Sequence, residues 1–167
     1  MTPALYRVPS SLPGHLFIAA RPRGGDWLAD EIVAWRHAGI EAVVSLLETQ
    51  EEEQLGLTDE RAEAEGCAMD YISLPIADRG VPASTSESIA VLNEIFQHLV
   101  EGKNVAVHCR QGIGRSGMIA AGVLVKDGMN PQEAMRTISS SRGLTTPETA
   151  EQVRWVEALP ANLFAMR

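Results

Sequence analysis

The sequence has few cysteines and no long apolar run, and each shortage excludes a class of protein. Its 167 residues include only two cysteines, Cys67 and Cys109. Two cysteines make no disulfide framework for a chain of this size, and this pair lacks the spacing of a zinc site. We therefore expect a cytoplasmic protein with no metal and no cofactor. The apolar run LFIAA, residues 16–20, is far too short for a signal peptide or a membrane span.

Positive charge is also scarce, and this limits the expected partners. Lys and Arg number 14 against 22 Asp and Glu, which gives a formal net charge of −8. Nonspecific binding to nucleic acid and attraction to anionic membranes both need a surplus of positive charge facing the partner, so we expect neither. The oligomeric state stays open. A local phosphate site is still compatible with an acidic chain, because backbone N–H groups and one arginine can supply it.

The remaining composition is that of one globular domain, residues 1–167, with 45% hydrophobic and 22% charged residues. Apolar stretches alternate with helix-period stretches, which predicts an α/β fold with a mainly parallel central sheet flanked by helices. Strands are expected at 15–20, 41–48, 68–76 and 103–109, and helices at 26–39, 58–66, 84–102, 115–128 and over two segments near the C-terminus. The expected N-caps of these helices are Asp26, Thr58, Ser84, Asn130 and Thr146, the last two followed by proline at the first helical position. The acidic segment 48–57 lacks periodicity and is expected to be a solvated loop.

The segment HCRQGIGRSG, residues 108–117, joins the last predicted strand to an almost wholly apolar predicted helix. A glycine-rich turn at a helix N-terminus is an anion site, because its N–H groups and the helix dipole face the same point. Gly112 and Gly114 permit the positive φ values and the close approach that such a cradle needs. Arg115 could clamp two phosphate oxygens with its planar fork. A nucleotide-binding P-loop is excluded, because the turn contains no lysine.

Cys109 at the mouth of this turn predicts covalent chemistry. The field that attracts a phosphate also stabilises a thiolate, so the pKa of Cys109 should be lowered and its sulfur should be a nucleophile at neutral pH. Attack on a phosphate bound in the turn would give a phosphocysteine. The residues expected to bind the phosphate are Arg110, Gln111, Gly112, Ile113, Gly114 and Arg115.

The segment HCRQGIGRSG resembles the signature loop of the cysteine-dependent protein tyrosine phosphatase superfamily. The short chain resembles the compact dual-specificity branch, including cyclin-dependent-kinase-associated and prokaryotic dual-specificity-like phosphatases. The resemblance implies that Asp78, which lies in the segment LPIADRGVP and precedes Cys109 by 31 positions, is the general acid. It implies that the Ser116 hydroxyl stabilises the cysteine sulfur as a leaving group.

The same resemblance extends to RGLTTPETAEQVRW, where it implies that Gln152, with Thr149, helps to position the hydrolytic water. His108 is expected to orient the loop and not to act as a base, because a preformed thiolate needs no proton acceptor. Cys67 is expected to be a small buried residue. Arg21, Arg23 and Arg79 are candidates for the rim of the site.

Three functions are compatible with these residues. The first is a metal-independent phosphatase that acts on phosphotyrosine, phosphoserine and phosphothreonine in proteins. The second keeps the mechanism but acts on a phosphoinositide, another small phosphomonoester or an RNA 5′-phosphate. The third is a phosphate-binding module without catalysis. The sequence favours the first, because Cys109, Arg115, Ser116 and Asp78 are all present and because lysines are absent from the loop.

Overall fold

Among the residues that the structure describes, the central sheet has five strands. The computed structural model describes residues 3–165, with the side chains of 164 and 165 excepted. The strands are β1 (Leu5–Val8), β2 (Leu16–Ala19), β3 (Ala42–Ser45), β4 (Asp70–Ser73) and β5 (Val105–His108), and their order across the sheet is β1-β2-β5-β3-β4. β2, β5, β3 and β4 run parallel, and β1 pairs antiparallel with β2 at the edge. This confirms the predicted α/β class with a mainly parallel sheet.

Helices cover both faces of the sheet. They are α1 (Leu28–His37), α2 (Thr49–Leu55), α3 (Glu60–Gly66), α4 (Thr85–Val100), α5 (Gly114–Lys126), α6 (Pro131–Arg142) and α7 (Ala150–Ala165). One core packs α4 to α7 against one face, and a second core packs α1 and α3 against the other. All residues of α5 except Lys126 are buried, as its apolar sequence predicts. Within residues 3–165, no helix combines the length and the apolarity that crossing a bilayer requires.

The alternation of side chains along β5 separates two functional residues. Val105 and Val107 belong to the core of α4 to α7, whereas Ala106 belongs to the core of α1 and α3. Because successive strand residues face opposite sides of a sheet, His108 turns toward Trp35 of α1 and Cys109 toward α5. Cys109 therefore lies on one side of the sheet and His108 on the other.

The four predicted strands are confirmed, with shorter bounds, but β1 was not predicted. Its sequence LYRV is four residues long and only Val8 in it is fully buried, so it carries little hydrophobic pattern. The helix-period residues Ile89, Leu92, Ile95, Phe96 and Leu99 are expected to form the buried stripe of α4. All are buried except Phe96, which is half-buried and lies under the ammonium group of Lys126.

Two of the five predicted N-caps are confirmed. Ser84 and Asn130 accept hydrogen bonds from the backbone N–H groups three residues later. The assignments of Asp26, Thr58 and Thr146 are wrong. The first two each lie one residue too early, since the N-cap of α1, which follows a 3-10 turn at Gly25–Trp27, is Trp27 and the N-cap of α3 is Asp59.

Thr146 is not a cap because α7 begins only at Ala150, where Thr149 Oγ1 accepts the N–H of Gln152. The buried Thr146 hydroxyl instead donates to the carbonyl of Ile113. A threonine before a proline fits the sequence pattern of an N-cap, but in the folded protein the Thr146 hydroxyl makes a tertiary hydrogen bond instead.

The prediction of a solvated loop at 48–57 is also wrong, because this segment forms α2. Glu48 and Glu51 make a reciprocal capping box at its start, and Gly56 ends it in the left-handed conformation. Leu47 and Leu57 are buried on either side and anchor the segment. The helix turns Glu51 inward, where it meets Arg115.

Candidate active site

The loop from Cys109 to Ile113 joins β5 to α5 at the carboxyl end of the parallel strands. Gly112 has a φ of +71°, and a Cβ there would lie 2.6 Å from the carbonyl carbon of Ala19. Gly114 has no such φ, but a Cβ would lie 2.5 Å from Glu148 Oε1. Gly112 therefore requires glycine for its conformation and for the close approach to Ala19, whereas a Cβ at Gly114 would mainly displace the end of the flexible Glu148 side chain.

The sulfur of Cys109 lies inside this loop, and the residue is 3% exposed. Its Sγ is 3.3 Å from the Ser116 hydroxyl. Burial by itself raises the pKa of the thiol, but hydrogen bonds from the Ser116 hydroxyl and from the N–H groups of Ser116, Ile113 and Gly112 outweigh burial and lower that pKa. The loop thus favours a thiolate, as the sequence predicts.

The carbonyl groups of Gln111 and Gly112 point out of the loop toward Arg142, a residue that the sequence analysis did not identify. Arg142 donates from Nε to the carbonyl of Gly112 at 2.8 Å and from Nη2 to that of Gln111 at 3.3 Å. Its guanidinium also stacks on Tyr6 of β1, 4.2 Å from the ring centroid. Because these carbonyls are engaged outside, the loop N–H groups are free to face the sulfur.

Arg115 is 2% exposed and is held in a fixed orientation by acceptors on one side. Nη1 donates to Glu51 Oε2 at 2.7 Å and to the carbonyl of Ile76 at 2.9 Å, and Nη2 donates to Glu51 Oε1 at 3.0 Å. Burial raises the pKa of Glu51, but hydrogen bonds from Arg115 and from the Glu48 N–H outweigh it and lower that pKa. These contacts leave Nε and one N–H of Nη2, on the same edge of the guanidinium, to bind two oxygens of a phosphate.

Asp78 lies on the loop after β4 and reaches the same pocket. Its side chain is 62% exposed, and Oδ1 is 3.4 Å from Nη2 of Arg115. The turn that carries it is closed by a hydrogen bond from the Gly80 N–H to the carbonyl of Ala77 at 2.8 Å. Asp78 and Cys109 therefore line one cavity, although they belong to different loops.

Gln152 lies on α7 behind this turn and is fully buried. Its Nε2 donates to the carbonyl of Gly80 at 3.1 Å, and its Oε1 accepts the N–H groups of Glu148 and Thr149 at 3.1 and 3.3 Å. The structure therefore brings Gln152 next to the Asp78 loop, with its amide group already engaged.

His108 lies outside the pocket, on the opposite face of the sheet. Its Nε2 is 2.6 Å from Oε2 of Glu60, its Nδ1 is 3.2 Å from the carbonyl of Cys109, and its ring meets that of Trp35 edge-on. Burial lowers the pKa of His108, but the charge and hydrogen bond of Glu60 outweigh it and raise that pKa. Sequence analysis missed Glu60, which lies 48 positions from its partner.

The pocket over the sulfur has a volume of about 200 Å³. Its lining comprises Asp78, Arg79, Cys109, Arg110, Gln111, Ile113, Gly114, Arg115 and Glu148. A larger cavity of about 450 Å³ between α4, α5, α6 and α7 lies away from this loop and is lined mainly by apolar residues. The chemistry therefore belongs to the smaller pocket.

Three residues named from the sequence lie elsewhere. Arg21 and Arg23 line a separate depression beside Glu31 and not the pocket over the sulfur, so only Arg79 keeps the predicted rim position. Cys67 is half-buried, not fully buried, and packs on the core of α1 and α3. That core lies on the opposite face of the sheet from Cys109.

The fold and the loop define a class of protein, the cysteine-dependent phosphatases of the compact dual-specificity branch. The fold is similar to that of kinase associated phosphatase with its catalytic-site cysteine replaced by serine, with a TM-score of 0.91, 18% identity, and 99% and 98% of the two chains covered. It is also similar to Tk-PTP in its active form, with a TM-score of 0.79, 25% identity, and coverage of 96% and 99%.

The sequence comparisons lead to the family. Human cyclin-dependent kinase inhibitor 3 is 29% identical over 93 residues, which are 54% of this chain and 43% of that protein. The chain spans less than half the length of the curated relatives it matches. The family model described as "Polymorphic toxin system, DSP-PTPase phosphatase" matches residues 19–129, and the chain belongs to this family.

Proposed function

We propose that this protein hydrolyses phosphotyrosine, phosphoserine and phosphothreonine in proteins through a phosphocysteine intermediate on Cys109. The observation that carries the proposal is the environment of the Cys109 sulfur, which receives hydrogen bonds from Ser116 and from the loop N–H groups while Arg115 stands beside it. The loop N–H groups that lower the pKa of the thiol would also hold phosphate oxygens of a bound substrate.

The first step transfers the phosphoryl group to sulfur. The thiolate of Cys109 forms an S–P bond as the P–O bond to the substrate breaks, and the bonding electrons leave on the substrate oxygen. The protonated carboxyl of Asp78 gives that oxygen its proton. Loop N–H groups and the Nε/Nη2 edge of Arg115 hold the three equatorial oxygens during the transfer.

The second step returns the enzyme to its starting state. The carboxylate of Asp78 takes a proton from a water molecule, whose oxygen forms a bond to phosphorus as the S–P bond breaks. Inorganic phosphate and the thiolate result. The Ser116 hydroxyl, 3.3 Å from the sulfur, stabilises the departing thiolate by donating a hydrogen bond to it.

The charges around the pocket support a substrate with one phosphate group. Its lining has three arginines, 79, 110 and 115, against two carboxylates, Asp78 and Glu148, and it contains no lysine. Glu51 also neutralises Arg115 from below. A headgroup with several phosphates would need more unpaired positive charge than this set supplies. The relative cyclin-dependent kinase inhibitor 3 is named for action on a protein, a kinase, and this favours a protein target.

A matched substrate panel tests the proposal. The purified protein is assayed in EDTA against phosphotyrosine and phosphothreonine peptides of one sequence and against inositol phosphates, with Cys109→Ser as the control. We expect turnover of both peptides at rates above those of the inositol phosphates, and none by Cys109→Ser. A preference for inositol phosphates would reject the protein substrate, and loss of turnover in EDTA would reject the metal-independent mechanism.

A further inference from the structure

The contacts of Gln152 point to a role that differs from water positioning. We propose that Gln152 is a positioning residue that holds the Asp78 loop over the Cys109 pocket. The inference rests on the proposed function of Asp78 as general acid. It assigns the effect of Gln152 to the first step of the reaction, in which the substrate oxygen leaves, and not to the attack of water.

The amide of Gln152 is engaged at both ends. Oε1 accepts two backbone N–H groups at the start of α7, and Nε2 donates to the carbonyl of Gly80 in the Asp78 turn. The side chain, on the buried face of α7, joins the start of that helix to a loop whose residues 77–79 are exposed. With a residue exposure of 0%, Gln152 presents no surface to a water molecule in the pocket.

The turn that carries Asp78 needs such support because of its backbone. Residues 77–80 form a tight turn in which Arg79 has a φ of +63°, a conformation that glycine adopts without strain and arginine does not. Such a conformation persists where surrounding contacts fix it. The turn therefore depends on the hydrogen bonds that the carbonyl groups of Arg79 and Gly80 accept.

Those bonds all come from one short segment, residues 148–152. Gln152 binds the carbonyl of Gly80 at 3.1 Å, and the Thr149 hydroxyl donates to the carbonyl of Arg79 at 3.5 Å. The guanidinium of Arg79 lies 3.7 Å from Glu148 Oε2. Of these contacts the one from Gln152 is the shortest and the least exposed, so it is the one whose loss should release the Asp78 carboxyl.

The test separates the two steps of the reaction. kcat/KM reports the steps up to release of the first product, whereas positioning of water affects only breakdown of the phosphocysteine and hence kcat. Gln152→Glu keeps an acceptor for the N–H groups of α7 but cannot donate to Gly80. Gln152→Met keeps the length and removes both functions without adding charge.

We expect both variants to lower kcat/KM about tenfold to a hundredfold for phosphothreonine peptides and other esters with poor leaving groups, a share of the contribution of a general acid. Activated aryl phosphates should change less than about threefold, since they need little protonation. The neighbouring exposed change Glu151→Gln serves as control. Alkylation of Cys109 by iodoacetate at the wild-type rate would show that the nucleophile pocket is intact.

The contrary result is equally specific. If kcat/KM stays at the wild-type value for all esters while kcat falls and a burst of the first product appears, Gln152 positions water and the inference is wrong. In an Asp78→Asn background, Gln152→Glu should have little further effect on kcat/KM. If the two substitutions instead lower kcat/KM additively, Gln152 does not act through Asp78 and the inference is wrong, but Asp78 can still be the acid. If Asp78→Asn lowers kcat/KM equally for good and poor leaving groups, Asp78 is not the acid.

Discussion

Replacing Glu51 by alanine should cost both stability and activity, because this residue fixes the buried Arg115. The substitution removes two acceptors, at 2.7 and 3.0 Å, from a guanidinium that is 2% exposed. Removing one partner of a buried ion pair costs about 3–5 kcal/mol. The carbonyl of Ile76 still accepts from Nη1, so we expect about 3 kcal/mol. Ordering a freed arginine costs up to about 2 kcal/mol, which corresponds to about a thirtyfold loss of kcat/KM.

The assays are urea unfolding and steady-state kinetics with an aryl phosphate, and Glu53→Ala on the exposed side of α2 is the matched control. Because the pKa of Glu51 is lowered in the folded state, its contribution is present above the unfolded-state pKa and is lost as pH falls through the folded value. The stability gap between wild type and Glu51→Ala should therefore narrow in acid. An equal effect of Glu51→Ala and Glu53→Ala would refute the reasoning.

Three further substitutions test single contacts in the pocket. Arg115→Lys keeps the charge but removes the planar guanidinium that binds two phosphate oxygens. We expect kcat/KM to fall by the factor that corresponds to about 2.7–4 kcal/mol of lost transition-state stabilisation; near-normal kinetics would show that Arg115 does not bind the phosphate in this way. Asp78→Asn should slow alkyl phosphates far more than aryl phosphates with acidic phenols, as measured across a leaving-group series; an equal loss for all esters would make Asp78 a turn residue only. Ser116→Ala leaves the effect of burial, which raises the pKa of Cys109, and removes the strongest contact that lowers it. The pH profile of Cys109 alkylation should therefore shift upward, and an unshifted profile would contradict the assigned role.

The reactive loop could be predicted from the sequence because its parts are contiguous. One short segment contains the cysteine, the two loop glycines and the arginine, and the flanking strand and helix have clear hydrophobic patterns. Asp78 could be placed at the site only through the family resemblance. The roles of these residues stay predictions until the variants are measured.

The residues that hold the loop could not be predicted, because each acts across a long sequence separation. Glu51 meets Arg115 from 64 positions away, and Arg142 meets Gly112 from 30. Within the run ETQEEEQLGL nothing distinguishes Glu51 from Glu53 before the helix is packed. Acidic residues are common on solvated surfaces, so composition alone favoured a loop, whereas the buried arginine decides which carboxylate turns inward.

The central claim is that Cys109 carries the phosphoryl group during turnover, and mass spectrometry of the acid-quenched enzyme tests it most directly. The protein is mixed with excess aryl phosphate, quenched in acid during steady-state turnover and digested for peptide mapping. The account predicts one added phosphoryl group on the peptide that contains Cys109, and none in Cys109→Ser, which should also be inactive. A phosphoryl group on another residue, or continued turnover by Cys109→Ser, would contradict it.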